Sequence, residues 1–206
     1  MTIVLSKFPA PGCITIPEGL WLSETLSTIS AQTGYDVSQL ENSLISGQVE
    51  SKYLPDNDYT ELQNWEGLLF PNTYQIDIES NGETILQTLV NELEIRFGNL
   101  TSTQSIPEWI TTPTQFFTVA SLIEAESKLD EDRPLVSSVI KNRLDESMLL
   151  QIDATVLYSL QKRKSQVLLI DLQIDSPYNT YKYTSLPPTP ISGFGERSMN
   201  AIMNTP

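Results

Sequence analysis

The sequence predicts an α+β fold in which a small β-α-α module precedes a mainly helical region with short strands. The alternating, β-branched stretch CITIP near the start is typical of a strand. Six later segments carry apolar residues at helical spacing, and glycine or proline residues separate most of them. The chain has 206 residues, of which 39% are hydrophobic, so it can bury a sizeable core.

The first part of the chain is predicted to form the small module. Residues 1–13 are expected to be an irregular lead-in, because prolines and a glycine interrupt any regular pattern. The strand follows, and the turn sequence PEG separates it from the first helix. The polar stretch 50–65 marks the boundary, so the module is assigned to residues 14–60 and a second domain to residues 61–206.

Two helices complete the module. Ser23 is predicted as the N-cap of the first helix, LSETLSTISAQTG, and Gly34 is predicted to end it. The second helix, at 36–47, also starts with an acidic residue and stops at a glycine. A strand followed by two helices resembles the LysM-like module of cell-wall proteins.

The second domain is predicted to be mainly helical. The stretch WEGLLFPNTYQI indicates a strand, a turn and a second strand. Four helices are expected after it, and the last residues form a turn-rich tail. The predicted helices cover about 84–98, 113–128, 130–147 and a segment from Asp153. In the third of them, Pro134 occupies the first turn and Leu135 and Val139 are expected to face inward.

Composition argues against several functions. The net charge is −14 and no basic run is present, so nucleic acid is not an expected partner. The chain has no histidine, which removes Ser–His–Asp and Cys–His catalysis and most transition-metal sites. Cys13 is the one cysteine and cannot form an internal disulfide. No cofactor is expected, and acid–base chemistry falls to Glu, Asp, Tyr or Lys.

The sequence contains no candidate membrane span or signal peptide. The longest apolar stretches, such as VLLI at 167–170, are far shorter than the roughly 18 residues that a spanning helix needs. The first residues lack a basic start and a long apolar core. We therefore expect either a cytosolic protein or one whose export or anchor segment is absent from this chain.

Four stretches, in order along the chain, together resemble one family. They are EGLLFPNTY (66–74), ASLIEAES (120–127), VSSVIKNRLDESMLLQIDATVLYSL (136–160) and SPYNTYKYTSLPPTPI (176–191). Their order and spacing are similar to those of the endolytic murein transglycosylases, the YceG-like family. The resemblance covers about residues 14–206. Family members continue past the LPP region, so the catalytic domain is expected to be truncated at its C-terminus.

The resemblance implies a reaction, a substrate and a location. The family cleaves the β-1,4 bond between N-acetylmuramic acid and N-acetylglucosamine in peptidoglycan, within the glycan strand, and thereby limits strand length. The muramic C6 hydroxyl attacks C1 and leaves a 1,6-anhydro end, so one carboxyl group suffices, whereas most glycosidases use two. The expected partners are glycan strands and peptidoglycan synthases, at the outward face of the bacterial inner membrane.

Two glutamates, Glu124 and Glu126, are candidates for that carboxyl group. They follow an apolar run and lie about 200° apart on a helix, so they cannot share one site. Periodicity leaves both open because each flanks the apolar stripe. The resemblance implies that the first of them, Glu124, is the catalytic acid. The alternative is that both are solvated helix residues, with Glu124 paired to Lys128.

Seven further residues are candidates for substrate binding. Gln151 and Asp153 lie in the LLQIDATVLY stretch, although Asp153 is also expected to cap the helix that follows. Arg143 belongs to the NRL sequence, where helix packing is the alternative. The SPYNTY stretch supplies four residues whose aromatic faces, amides and hydroxyls suit sugar rings: Tyr178, Asn179, Thr180 and Tyr181.

Two other functions remain open from the sequence. The same fold with water as the attacking group would be a lysozyme-like hydrolase. A chain that holds glycan through its LysM-like part without cleaving it would be a non-catalytic binding module.

Overall fold

A computed structural model describes residues 12–77 and 80–206, apart from the side chain at position 56. The predicted lead-in, 1–13, lies almost entirely outside these residues. Within them, two strands and seven α-helices follow one another: β1 Gly12–Thr15, α1 Leu22–Thr33, α2 Val37–Ile45, β2 Thr73–Ile76, α3 Gly82–Thr103, α4 Pro113–Glu126, α5 Arg133–Asp145, α6 Asp153–Leu160 and α7 Glu196–Met203. This mixture confirms the predicted α+β class.

The two strands form one antiparallel ribbon that joins the start of the chain to its middle. Ile14 is paired with Tyr74, and Gly12 is paired with Ile76. A two-stranded ribbon is marginal by itself, and it is stabilised by packing against helices. Because β2 belongs to the predicted second domain, the two parts share this sheet. The division at residue 60 and the LysM-like character of the first part stay predictions.

One apolar core runs through both parts of the chain. Its largest fully buried side chains include Trp65, Phe116, Phe117 and Phe194. Glu66 lies among them, only 3% exposed, and its Oε1 accepts a hydrogen bond of 2.9 Å from the backbone N–H of Leu22. The core and this bond hold α1 against the helical region.

Helix α1 ends as predicted but begins differently. Gly34 has the left-handed φ of 82°, which glycine adopts without steric cost, and it terminates the helix. At the other end Ser23 is not the cap. Trp21 precedes the helix, and the carboxylate of Glu24 accepts its backbone N–H at 2.8 Å.

Three predictions about the second domain are wrong. Within 65–76 only Thr73–Ile76 is a strand, because Gly67 adopts a left-handed φ of 77° that breaks the extended chain. Helix α3 continues through Gly98 to Thr103, because long-range packing stabilises it beyond the glycine. The tail also contains α7, which packs on α4 and α5.

The face of α5 also differs from the prediction. Leu135 and Val139 were expected to point inward, but they are 60% and 51% exposed. The side that faces the protein carries Arg133, Ser137 and Ile140 instead. Polar residues occupy that side because they bond to α4 and to the end of the chain. The exposed pair forms part of a cleft described below. No helix in the described ranges is long and apolar enough to cross a bilayer.

Candidate active site

Helix α4 positions both candidate glutamates in its last turn. Thr112 caps its start by accepting the backbone N–H of Gln115, and Pro113 occupies the first helical position. Its residues 116–123 are all buried. Residues two positions apart on an α-helix differ by about 200° in direction, so Glu124 and Glu126 leave its end on opposite sides.

Glu124 points toward α5 and α7 and its carboxylate is fully engaged there. Oε1 accepts a 3.0 Å bond from Arg133 Nη2, and Oε2 accepts from Ser198 Oγ at 2.7 Å and from the backbone N–H of Gly195 at 3.0 Å. The Glu124 and Arg133 side chains are only 7% and 9% exposed. The carboxylate is therefore paired with Arg133, not with Lys128 as the alternative had it.

A second carboxylate, that of Glu18, lies beside this network. A Cβ at position 195 would lie 1.8 Å from Glu18 Oε1, so Gly195 lets the turn after β1 approach this closely. Partial burial and the negative charge of Glu124 raise the pKa of Glu18. Glu124 and the groups around it thus bring together three parts of the chain: the turn after β1, the α4–α5 region and the start of α7.

Glu126 points to the other side of α4, into an open cleft of about 430 Å³. Leu135 and Val139 of α5 form an apolar wall of this cleft, and Arg143 and Gln151 also line it. Within the described residues, no other side chain is hydrogen-bonded to the Glu126 carboxyl. Its side chain keeps access to solvent, but the cleft removes part of its hydration. This partial burial, together with the negative charge of Asp153, raises the pKa of Glu126.

Asp153 and Tyr181 form a pair next to this cleft. Tyr181 donates its hydroxyl to Asp153 Oδ1 at 2.6 Å. Burial, and then this bond to a carboxylate, raise the pKa of Tyr181 to about 12, so its hydroxyl stays protonated. Asp153 is the first residue of α6 and makes no capping bond, which corrects the predicted cap. Its side chain is held by Tyr181 instead.

Gln151 and Arg143 shape the loop between α5 and α6. Gln151 has a left-handed φ of 52°, which a hydrogen bond of 3.0 Å from its backbone N–H to the Thr180 carbonyl holds in place. Its exposed side chain lines the cleft. Arg143 donates to the carbonyl of Leu150, so its guanidinium braces the same loop. Gln151 and Arg143, two of the predicted substrate-binding candidates, therefore both line the cleft.

The remaining three candidates lie inside the protein. Tyr178 is 6% exposed and its hydroxyl is bonded to that of Thr189 at 2.7 Å. Asn179 is fully buried and donates to the carbonyls of Leu172 and Ile174 at 3.0 and 2.8 Å. Their polar groups are already paired within the protein, where they support the loop, and the sugar contact expected of them stays a prediction.

Thr180 has the same supporting role. It is 1% exposed, its hydroxyl accepts the backbone N–H of Ile152 at 3.0 Å, and it is bonded to the Thr155 hydroxyl at 2.9 Å. Together with its carbonyl bond to Gln151, these contacts fix the segment that carries Gln151 into the cleft and Asp153 beside it. Thr180 is thus buried and bonded to the segment that carries Gln151, and its expected contact with substrate stays a prediction.

The structure therefore brings four of the predicted substrate residues together around Glu126 and not around Glu124. Arg133 and Ser198, which hold Glu124, were missed by the sequence analysis. Arg133 could have been noticed as a basic residue at the start of a helix, where a cation is unfavourable without a partner. In the described part of the chain, no cluster of three or more His, Cys, Asp or Glu side chains is arranged to hold a metal ion.

Comparisons with known proteins confirm the resemblance. The chain belongs to the YceG-like family, whose model matches residues 3–206. A crystal structure of a YceG-like protein from Listeria monocytogenes superposes with a TM-score of 0.83 at 30% identity, covering 96% of this chain and 67% of that one.

Two relatives carry the name endolytic murein transglycosylase. The one from Bacillus subtilis strain 168 is 34% identical over 202 residues, and the one from Streptococcus pneumoniae strain D39 is 30% identical over 203 residues. These alignments include 93% and 89% of this chain. The chain spans 55% and 36% of the lengths of these two relatives.

Proposed function

We propose that this chain is the catalytic part of an endolytic murein transglycosylase. Its family and the names of its relatives supply the reaction class. The observation that carries the proposal is the cleft beside α4, because it holds a carboxyl group with a raised pKa and an amide side chain that suits sugar hydroxyls. The substrate is the glycan strand of peptidoglycan.

The reaction needs one carboxyl group that first gives a proton and then takes one. The protonated acid donates its proton to the glycosidic oxygen as the bond to C1 of N-acetylmuramic acid breaks. The C6 hydroxyl of the same sugar then forms a bond to C1, and the carboxylate removes the proton of that hydroxyl. No water is consumed, and the carboxyl group returns to its starting state.

We assign this role to Glu126, whereas the motif comparison points to Glu124. An acid must be protonated before it reacts, and partial burial in the cleft together with the negative charge of Asp153 raises the pKa of Glu126. It must also reach the substrate, and Glu126 lines the open cleft. The Glu124 carboxylate accepts bonds from Arg133, Ser198 and Gly195, so both of its oxygens are already occupied within the protein. The motif-based assignment to Glu124 remains the prediction against which ours is tested.

Glu124 then serves as a brace. Its bonds to Arg133, Ser198 and Gly195 tie the end of α4 to α5 and α7, and this fixes the direction in which Glu126 leaves the helix. A displacement of this end would move the acid relative to the sugar, and catalysis depends strongly on such alignment.

The other cleft residues have roles that their contacts support. Gln151 offers an amide that donates to and accepts from sugar hydroxyls. Asp153 keeps the proton affinity of Glu126 high, and Tyr181 holds Asp153 in place. Arg143 braces the loop that carries Gln151.

The proposal also covers the roles of the two parts of the chain, the location of the protein and its partners. Residues 14–60 act as a LysM-like module that holds glycan, while residues 61–206 cleave it. The protein works in cell-wall biogenesis at the outward face of the inner membrane, attached there by an anchor, beside the peptidoglycan synthases whose strands it shortens.

Mass spectrometry of muropeptides tests the reaction. Purified chain is incubated with intact peptidoglycan, and the released fragments are compared with those from a hydrolytic muramidase. We expect 1,6-anhydro ends, lighter than the hydrolytic products by one water, together with internal cuts that shorten the strands. Products that carry the extra water would indicate the lysozyme-like alternative. Binding without any release would indicate the non-catalytic module.

A further inference from the structure

We infer that a second groove on the protein binds the glycan strand at a distance from the acid. We call it the distal groove. It has a volume of about 480 Å³ and lies between the start of α4, the end of α5 and the segment 185–188. Its lining includes Trp109, Thr114, Gln115, Leu144 and Leu186.

The chemistry of the distal groove suits a carbohydrate. Trp109 is half-buried, so part of its ring surface is open to the groove, and indole faces pack well on the C–H faces of sugars. Gln115 Oε1 already accepts from the backbone N–H and the hydroxyl of Thr111, at 2.9 and 2.8 Å. Its amide nitrogen therefore remains as a donor, and Thr114 adds a hydroxyl.

A second cavity adjoins the distal groove. This cavity, of about 320 Å³, shares the lining residues Ser185, Leu186 and Pro188 with it. Tyr183, which is 43% exposed, lines the second cavity and is held by a 2.9 Å bond from its hydroxyl to Asp175. Trp109 and Tyr183 thus line two cavities that meet at segment 185–188, which offers two aromatic faces to a linear polymer.

The distal groove lies beside the catalytic cleft. Arg143 lines the cleft and the next residue, Leu144, lines the groove. On α4, Gln115 and Glu126 are eleven positions apart, which corresponds to about 16 Å along the helix axis. A strand of several sugars spans this distance, whereas a single disaccharide does not.

This inference rests on the proposed function, because it takes the polymeric glycan as the ligand. It adds that the chain distinguishes long strands from short ones. Strands that fill both the cleft and the distal groove bind more tightly than fragments that fill only the cleft. The advantage depends on the ring of Trp109.

The test measures binding in a Glu126→Gln background, so that it does not depend on turnover. Peptide-free glycan strands and the disaccharide are titrated by calorimetry and by tryptophan fluorescence. Trp21 and Trp65 are only 6% and 0% exposed, so Trp109 is the tryptophan that responds to a ligand. Three further changes are compared: Trp109→Ala, Trp109→Phe and, as a control on an exposed face of α3, Ile95→Ala.

We expect long strands to change the fluorescence and the disaccharide to leave it unchanged. Trp109→Ala weakens binding of the long strands at least about fivefold, Trp109→Phe keeps it within about twofold because an aromatic face remains, and Ile95→Ala has no effect. Equal affinity of Trp109→Ala and its parent, or no binding of strands by either, overturns the inference. Failure of the proposed function appears separately, as the absence of anhydro products from the unaltered chain.

Discussion

Glu66 provides a test of the electrostatics of the core. Its carboxyl group is buried, with Oε1 accepting from the N–H of Leu22 at 2.9 Å and Oε2 accepting from the Tyr158 hydroxyl at 3.1 Å. Burial raises its pKa from the ordinary 4.5 to about 7, although both hydrogen bonds oppose this rise. We predict that Glu66→Gln removes a large part of the pH dependence of folding.

The direction and size of this pH dependence follow from the linkage between proton binding and folding. Between pH 4.5 and 7 the unfolded chain releases the Glu66 proton while the folded chain keeps it, so stability falls as pH rises. Below this window both states are protonated, and above it the loss is complete. The two pKa values correspond to a loss of about 3 kcal/mol. Glutamine cannot ionise, but its amide can still bond to both Leu22 and Tyr158.

Urea unfolding at pH 4.5 and pH 8 measures this effect. Between the two pH values, we expect the free energy of unfolding to fall by about 3 kcal/mol more in the parent chain than in Glu66→Gln. Other carboxyl groups titrate equally in both proteins, so the difference isolates Glu66. Glu146→Gln, at an exposed position on the surface, is the matched control and should behave like the parent. An unchanged pH dependence in Glu66→Gln would refute the reasoning.

Three further predictions concern the site and its supports. Arg133→Ala should destabilise the fold by about 3 kcal/mol in urea unfolding, because it leaves the buried Glu124 carboxylate unpaired. Lys141→Ala, which breaks an exposed pair, should cost less than about 1 kcal/mol. Equal costs would contradict a stabilising role for the buried Arg133–Glu124 pair. Asp153→Asn should move the basic limb of the pH–rate profile to lower pH, because it removes a negative charge that raises the pKa of Glu126. An unmoved limb would argue against Glu126 as the catalytic acid. Asn179→Ala should lower the free energy of unfolding by about 2 kcal/mol, because it removes a buried amide that donates to two partly buried carbonyls. A loss below about 0.5 kcal/mol would show that this amide is dispensable.

Features that depend on nearby residues could be predicted from the sequence. Helix α1 has an apolar stripe and a terminal Gly34, and both act within a few residues of where they stand. The α+β class also followed from such local patterns. The three-residue 3₁₀ turn before α5 and the continuation of α3 past Gly98 depend instead on packing against other elements, so local sequence did not reveal them.

The directions in which Glu124 and Glu126 point could not be predicted from the sequence. Residues 116–123 of α4 are buried on every side, so the helix has no polar face from which its rotation could be read. The rotation is set by α5, α6 and α7, which pack against α4 from later parts of the sequence. Glu124 meets Ser198, 74 positions away, and no periodic pattern predicts such a contact. The candidates Gln151, Asp153, Tyr181 and Arg143 came from the family resemblance, and the structure showed which glutamate they surround.

The rate at which 1,6-anhydro ends are released by two matched variants tests the central claim most directly. Glu126→Gln and Glu124→Gln are compared with the parent chain on the same peptidoglycan, with the folded fraction of each checked by circular dichroism. We predict that Glu126→Gln loses at least about 100-fold in rate while remaining folded, because the proton donor is gone. Glu124→Gln should be less stable yet still release anhydro ends. A folded Glu126→Gln protein that works at the parent's rate would contradict the account.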